Sequence, residues 1–502
     1  MKLRLYNTLS KKVEDFVPAR DGLARLYTCG PTVYNYLHIG NYRTYVFEDV
    51  LKRTMRYFGT PIRHVMNITD VGHLVSDGDE GADKMQKAAE REGKTAWDLA
   101  KFYTQTFLDD AKKLNLLFAP VVDAAREDNK EAIDILCRAT DHIEEQKRMV
   151  DKLVEKGVTY ETADGIYFDT AKFPQYGVLA GADHIKGLQS GSRVAMGDKK
   201  NLTDFALWKF SPKDEQRQME WDYRGRKGFP GWHIECSAMG QTYLGETFDI
   251  HCGGVDHIPI HHANEIAQAE AATGKEPFVR FWVHGEFLVM NKSKMAKSAG
   301  GFIRLQDLAD KGIDALDYRY FCYGAHYRKQ LDFSWEALEA AKTARRRLRE
   351  KVVEWNKQPA FLDELLVGDV DPATGNLING KEFKIGIGSD ESNSWIESFE
   401  NEIANDMNIP GALGAVHEGL SDLSQTEDKI ALLWNAERVL ALGLFGPEEM
   451  QELPQQLQNM FEGYQRARKA KNYAESDKLR NELKEAGIQV LDSKEGSSWK
   501  KI

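Results

Sequence analysis

The stretch from residue 23 to residue 70 constrains the fold more than any other part of the chain. "LARLYTC" (23–29) is a mostly apolar run of strand length. "NYRTYVFEDVLKRTMRYFG" (41–59) then repeats its apolar residues at helical spacing and stops at Gly59. "PIRHVMNITDVGHL" (61–74) reads as a second strand with a polar exit. Strand, turn, helix and strand make a βαβ unit, which predicts an α/β fold built on a doubly wound parallel sheet. Ligands on such sheets bind at the carboxyl ends of the strands. Cys29, His38 and "NITD" (67–70) all fall there.

The remaining sequence divides by pattern. Residues 80–160 are charged and helical in spacing, and 160–230 carry short strands and turns, as an insertion between two halves of a sheet would. The second half resumes near "PGWHIECSAMGQTYLG" and runs through "TFDIHCGGVDH". Residues 302–355 read as helical, with a basic run "KTARRRLREK" (342–351) that could track phosphates or form a solvated face. Residues 360–393 read as a linker or β-excursion, and amphipathic helices dominate 394–468. A charged helix capped by Gly487 and a short strand end the chain. The 502 residues carry a net charge of -11, so no global basic field advertises nucleic acid, although a local patch suffices for one. No run is long enough to span a membrane, and a cytoplasmic protein is expected. Five scattered cysteines do not form a disulfide framework.

Two polar loops point to phosphate chemistry. In "LHIGN" a helix begins just beyond a strand region, so its positive end suits an anion. Gly40 permits close backbone approach and His38 can donate a hydrogen bond, although a plain capping turn would look the same. In "NKSKMAKSAGG" (291–301), Lys294, Lys297 and Ser298 sit in a glycine-flanked loop suited to gripping a triphosphate. A solvated basic loop is the plainer alternative.

A metal is the third theme. His261 and Glu265 are four apart in a helical pattern and share a face. With Cys29 and Cys236 they would supply four N, S and O donors, a tetrahedral zinc set. Spacing alone favours a surface His/Glu pair and two buried cysteines. His251, Cys252, His257 and His262 are also close by, so spacing does not pick the ligands.

Taken together and in this order, "HIGN" and "KMAKS" resemble the His-Ile-Gly-His and Lys-Met-Ser-Lys-Ser motifs of class I aminoacyl-tRNA synthetases, each with one letter changed. The opening "CGPTVY" (29–34), "GWHIECSAM" (231–239) and "HHANE" (261–265) resemble the cysteine-specific members of that family. The resemblance implies ATP with Mg2+ as substrate, L-cysteine and a cysteine-specific tRNA as the other substrates, and one zinc ion per chain on Cys29, Cys236, His261 and Glu265. It implies catalytic roles for His38, Lys294 and Lys297, and ATP contacts from His38, Gly40, Asn41, Lys294, Lys297 and Ser298. Trp232 and His251 resemble residues that close over the amino acid, and Thr69 is grouped with them as a substrate contact. Cys252 stands where the family more often has glycine, which puts a thiol beside the site that could serve as a fifth or competing ligand. The implied chemistry is ligation of cysteine to tRNA through a cysteinyl-adenylate, in a monomer.

The expected organisation is a Rossmann-type catalytic half over 1–115, a connective insertion over 116–228 and a second catalytic half with the zinc ligands over 229–290. The lysine loop and stem-contact region follow over 291–355, a linker or β-excursion over 356–393, a helical bundle over 394–465 and an anticodon-recognition tail over 466–502. Trp499 is a candidate base-stacking platform. Two other functions share features of this sequence. A cysteine:amino-sugar ligase of the mycothiol type would keep the activation half but not the tail. A non-catalytic tRNA-binding relative would have eroded motifs, which this chain does not show.

Overall fold

A computed structural model describes residues 1–72, 84–117, 133–181, 199–212, 217–290, 293–294, 302–355, 370–371, 376–377, 389–445, 455–470, 472–493 and 496–501. The chain forms two compact units, Met1–Phe445 and Gly446–Ile502. Lys297 and Ser298 lie outside the described residues, as does most of 360–393.

The larger unit is organised on five parallel strands. From one edge they run Asp134–Arg138, Ile62–Ile68, Ala24–Thr28, Phe248–Gly254 and Val279–Gly285. In chain order this is 3-2-1-4-5, so the direction of winding reverses between Ala24–Thr28 and Phe248–Gly254. A ligand crevice opens at such a reversal. Every residue of Ala24–Thr28, Ile62–Ile68 and Phe248–Gly254 is buried. That is the two-sided burial of a parallel sheet covered by helices.

Side chains alternate between the two faces, and two separate cores result. Leu26, Ile250, Cys252 and Val283 pack with Val46, Val50 and Leu51 of the helix Ile39–Tyr57. Tyr27 and Trp282 pack with Ile234 and Met239 of the helix Trp232–Leu244 and Ile266 of the helix His261–Thr273. An N-terminal hairpin, Arg4–Asn7 with Lys12–Asp15, lies along the Val279–Gly285 edge. There the Thr8 N–H donates to Trp282 O (2.8 Å), and the Asn7 side chain bonds Arg280 O and Trp282 N.

Between the third and fourth strands of the parallel sheet stands an antiparallel sheet. Its order is Thr159–Glu161, Gly165–Phe168, Phe205–Phe210, Arg226–Pro230 and Trp221–Tyr223. Arg226–Pro230 ends at Gly231, the N-cap of the helix Trp232–Leu244, so the insertion feeds straight into the crevice.

The helices Ala315–Cys322, Trp335–Trp355, Asp390–Ala404, Ile409–Asp422 and Thr426–Leu440 complete this unit. Arg345, read above with the basic run, is buried. Its Nε donates to Leu442 O (2.8 Å) and its Nη1 pairs with Asp317 (3.0 Å), so it anchors a helix and is not a phosphate contact. In the smaller unit the helices Gln455–Lys469 and Tyr473–Glu485 pack with the hairpin Ile488–Ser493 and Gly496–Lys501. Phe461, Tyr464, Leu483, Ile488 and Val490 form its core. The whole helix Gln455–Lys469 therefore belongs with this unit, upstream of the boundary expected at 466. Among the described residues no helix is long and apolar enough to cross a membrane.

One buried ionic knot fixes the helix Ile39–Tyr57. Asp49 accepts from Arg53 Nε (2.7 Å), Arg319 Nη2 and the Leu117 N–H (2.8 Å). Arg319 also donates to Leu114 O and Leu440 O, tying three chain segments to one carboxylate. The two guanidiniums outweigh the burial that would raise the Asp49 pKa and hold its carboxyl well below the usual range. Asp49→Ala leaves two buried cations without their anion, and is expected to cost about 3–5 kcal/mol. A urea unfolding curve read by tryptophan fluorescence measures this as a lowered midpoint.

Candidate functional site

The crevice at the winding reversal is a cavity of about 350 Å³. Cys29, Cys236 and His261 line it, and so do His38, Asn41 and Trp232. Its walls come from strand ends, from the first turn of Ile39–Tyr57 and from the insertion, which contributes Phe229, Pro230 and Lys209.

His38 is the N-cap of the helix Ile39–Tyr57. Its Nδ1 accepts from the Asn41 N–H (3.2 Å), and Asn41 Oδ1 accepts from the His38 N–H (3.2 Å), a closed capping box. In the neutral ring the proton is therefore assigned to Nε2, which makes that edge a donor. The capping turn is thus closed, and the cap engages the Nδ1 edge of the His38 ring rather than the Nε2 edge. Asn41 is held by the cap, so its side-chain oxygen serves His38. Gly40 is where the His38 ring folds back: a Cβ there would lie 2.9 Å from two ring atoms. Gly40 itself does not line the cavity.

Cys29 follows directly on the strand Ala24–Thr28, and its N–H donates to Cys252 O (3.2 Å). The next residue, Gly30, must be glycine. Its N–H donates to Asn67 Oδ1 (2.9 Å), and a Cβ would sit 1.6 Å from Asn67 O. Thr69 lines the cavity with its hydroxyl already engaged, accepting from Asn67 Nδ2 (3.0 Å) and donating to Glu235 Oε2 (2.9 Å).

Cys29, Cys236, His261 and Glu265, the set that the family resemblance implied, come together. One ligand atom from each lies within 4.8 Å of every other, and all four residues are buried. Bonds of about 2.0–2.3 Å to a shared ion would span such a cluster. Glu265 Oε1 is wholly buried and lacks a hydrogen-bond partner among the described residues, although His261 Nε2 is 3.1 Å away. A buried carboxylate oxygen beside two sulfurs and an imidazole suits a cation. A hydrogen bond from Cys29 brings the Cys236 thiol down to about 7 against its burial. Burial alone would raise the Glu265 carboxyl and lower the His261 ring. Their mutual attraction, with His251 and Cys236 beside them, instead holds Glu265 down to about 2 and His261 up to about 10.

His251 resolves differently from expectation, the open question of Cys252 is answered, and the Lys294 side chain lies outside the described residues. His251 does not reach the cavity wall. It stacks on Trp282 (ring centroids 4.8 Å apart), and its Nε2 lies 3.0 Å from Glu265 Oε2, so it braces a metal-site carboxylate. Cys252 is adjacent to His251 in a strand, so it points to the opposite face, into the core of the helix Ile39–Tyr57. No donor cluster among the described residues includes it. Lys294 falls in the short strand Ser293–Lys294, and only its backbone is described. Trp232 does line the cavity, its ring 4.6 Å from that of His261. Lys209 was not anticipated. It lines the cavity with its ammonium on Asp164 and on the Tyr167 hydroxyl (2.8 Å), and no motif marks it beyond its place in the apolar run "FALWKF".

Comparison with known proteins agrees with this fold. Residues 15–343 match the family model of the class I (C) tRNA synthetase catalytic domain, and residues 450–499 match that of the cysteinyl-tRNA ligase anticodon binding domain. The chain is 45% identical over 499 residues to cysteine–tRNA ligase 1 of Burkholderia lata, covering 99% of this chain and 96% of that protein. It is 42% identical over 515 residues to the cysteine–tRNA ligase of Treponema denticola, covering all of both. In fold it is similar to the Mycobacterium tuberculosis methionyl-tRNA synthetase solved with methionyl-adenylate. That match has a TM-score of 0.54 at 14% identity, covering 85% of this chain and 92% of that one.

The close approach at Gly30 yields a direct test. Gly30→Ala must push the Cys29 strand end away from Asn67 O, a backbone atom that cannot rotate aside. It is expected to cost at least about 1–3 kcal/mol and to lower the metal content of the purified protein. Gly414→Ala, in the helix Ile409–Asp422 where a Cβ meets nothing within 4 Å, is the control: it should raise the melting temperature slightly, if it moves it at all, and leave the metal content unchanged. Thermal melting and elemental analysis read both.

Proposed function

The chain belongs to the cysteine–tRNA ligases of the class I aminoacyl-tRNA synthetases, and we propose on that premise how its cavity selects and activates the amino acid. The family joins an amino acid to tRNA at the expense of ATP. Here a cysteine carboxylate oxygen attacks the α-phosphorus of ATP, the bond from that phosphorus to the bridging oxygen breaks, and pyrophosphate leaves. A ribose hydroxyl at the tRNA 3′ end then attacks the acyl carbonyl, and AMP leaves.

The observation that carries this reading is one cavity lined both by the His38 cap and by Cys29, Cys236 and His261. His38 would donate its Nε2–H to a phosphate oxygen, at a helix start whose own N–H groups favour negative charge. The Asn41 cap keeps that ring from turning away. Lys294 and Lys297, with Ser298, would take the departing pyrophosphate, and Mg2+ would accompany the nucleotide. Trp232 and Thr69 would bound the amino acid, with Thr69 fixed by Asn67 and Glu235.

Cys29, Cys236, His261 and Glu265 would hold one zinc ion. When bound, zinc supplies a soft Lewis acid that prefers the thiolate of cysteine to the hydroxyl of serine. An apolar pocket cannot make that distinction strongly, because the two side chains are nearly isosteric. His251 contributes by fixing Glu265, and the Trp232 ring by packing on His261. The smaller unit would read the anticodon end of the tRNA, and the chain would act as a monomer. An amino-sugar acceptor is disfavoured, since it has no use for an anticodon binding domain such as residues 450–499 match.

Pyrophosphate exchange tests the reading. Cysteine should support exchange, and serine should do so at least about 10³-fold less well. The parent should carry one zinc per chain, and Cys236→Ser should lose most of it together with that discrimination. Equal exchange with serine, or a zinc-free protein that still discriminates, would contradict the proposal.

A further inference from the structure

The buried histidines around Glu265 pose a question of choice. A second set of four donors, Cys29, His251, His262 and Glu265, is as compact as the first, with its atoms also within 4.8 Å of one another. The two sets share Cys29 and Glu265, so one ion cannot satisfy both. Something must keep His262 out of the ligand set.

A hydrogen-bonded chain reaches His262 from the edge of the sheet. Thr8 Oγ1 lies 2.8 Å from His284 Nδ1. His284 Nε2 lies 2.8 Å from His262 Nδ1. His262 Nε2 lies 3.4 Å from Cys29 Sγ. Both rings are buried, and the 2.8 Å contact between their nitrogens has room for one proton only. A neutral imidazole has one N–H and one lone pair, so the whole chain must point one way. If the Thr8 hydroxyl donates, His284 carries its proton on Nε2 and passes a donor to His262 Nδ1. His262 then carries its proton on Nε2, facing the Cys29 sulfur. In that tautomer His262 Nε2 has no lone pair for a metal. With the chain reversed, His262 offers Nε2 as a ligand and Thr8 becomes the acceptor.

We propose that Thr8 is a positioning residue for the metal site: through His284 and His262 it places an N–H on the Cys29 sulfur. This excludes His262 from coordination and commits the metal to Cys29, Cys236, His261 and Glu265. A metal-bound thiolate at Cys29 is an acceptor, so it favours the same direction from the other end. The hairpin that carries Thr8 is docked by the Thr8 N–H on Trp282 O, which holds the hydroxyl in register with His284. The proposal rests on the metal reading above and adds a residue more than twenty positions upstream of the first ligand.

The test uses the full chain with Zn2+ and with Co2+ in its place. Thr8→Val keeps the shape of the side chain and removes the hydroxyl, and Thr8→Ser restores the hydroxyl. Zinc affinity is read by competition with a chromophoric chelator, and the number of thiolates on the metal by the near-ultraviolet sulfur-to-cobalt band. Parent and Thr8→Ser should bind alike and show two thiolates. Thr8→Val should bind about 10-fold more weakly or worse, with the band falling towards one thiolate. Identical affinity and band in Thr8→Val, or a Thr8→Ser as impaired as Thr8→Val, would overturn the role of Thr8. A parent that binds neither metal would overturn the metal reading itself.

Discussion

The parallel pairing of Ala24–Thr28 with Phe248–Gly254 is the contact on which the site depends. It joins segments more than two hundred residues apart, and such long-range pairing is entropically costly to form. Its return is the reversal of winding, where a cavity opens at the strand ends. The same pairing brings Cys29 against the Cys252 carbonyl, within reach of the helix that carries His261 and Glu265. Without it Cys29 and Cys236 would lie in separate halves of the molecule.

A second economy lies at the helix start. His38 closes the backbone of the helix Ile39–Tyr57 and lines the cavity with the same ring. The helix is held at its third turn and beyond by the Asp49 knot, so the orientation of the cap is set by buried charge deeper in the molecule. Stability and chemistry meet in this helix.

Much of this was legible in the amino-acid sequence. Strand, helix and strand over residues 23–70 follow from periodicity, and the strand-end location of Cys29 and the "NITD" segment follows from that. The i, i+4 spacing of His261 and Glu265 put both on one helix face. Alternation also decides Cys252. In "FDIHCGG" two adjacent residues must face opposite sides of the sheet, so a metal site braced by His251 cannot contain Cys252. What stayed hidden has no local period. The burial of Arg345 depends on Leu442 and Asp317, the placing of Lys209 on the insertion sheet, and the reach of Thr8 on an edge contact with Trp282. Spacing could not choose among the clustered histidines, because the choice turns on which ring nitrogen holds a proton.

The central claim is that one metal, held by two thiolates, an imidazole and a carboxylate, reads the side chain of the amino acid. Zinc X-ray absorption on the purified protein tests it most directly. The account predicts two sulfur neighbours in the free protein, three when L-cysteine is added, and no change when L-serine is added. A free protein with one sulfur neighbour or none, or a spectrum that does not respond to cysteine, would contradict it.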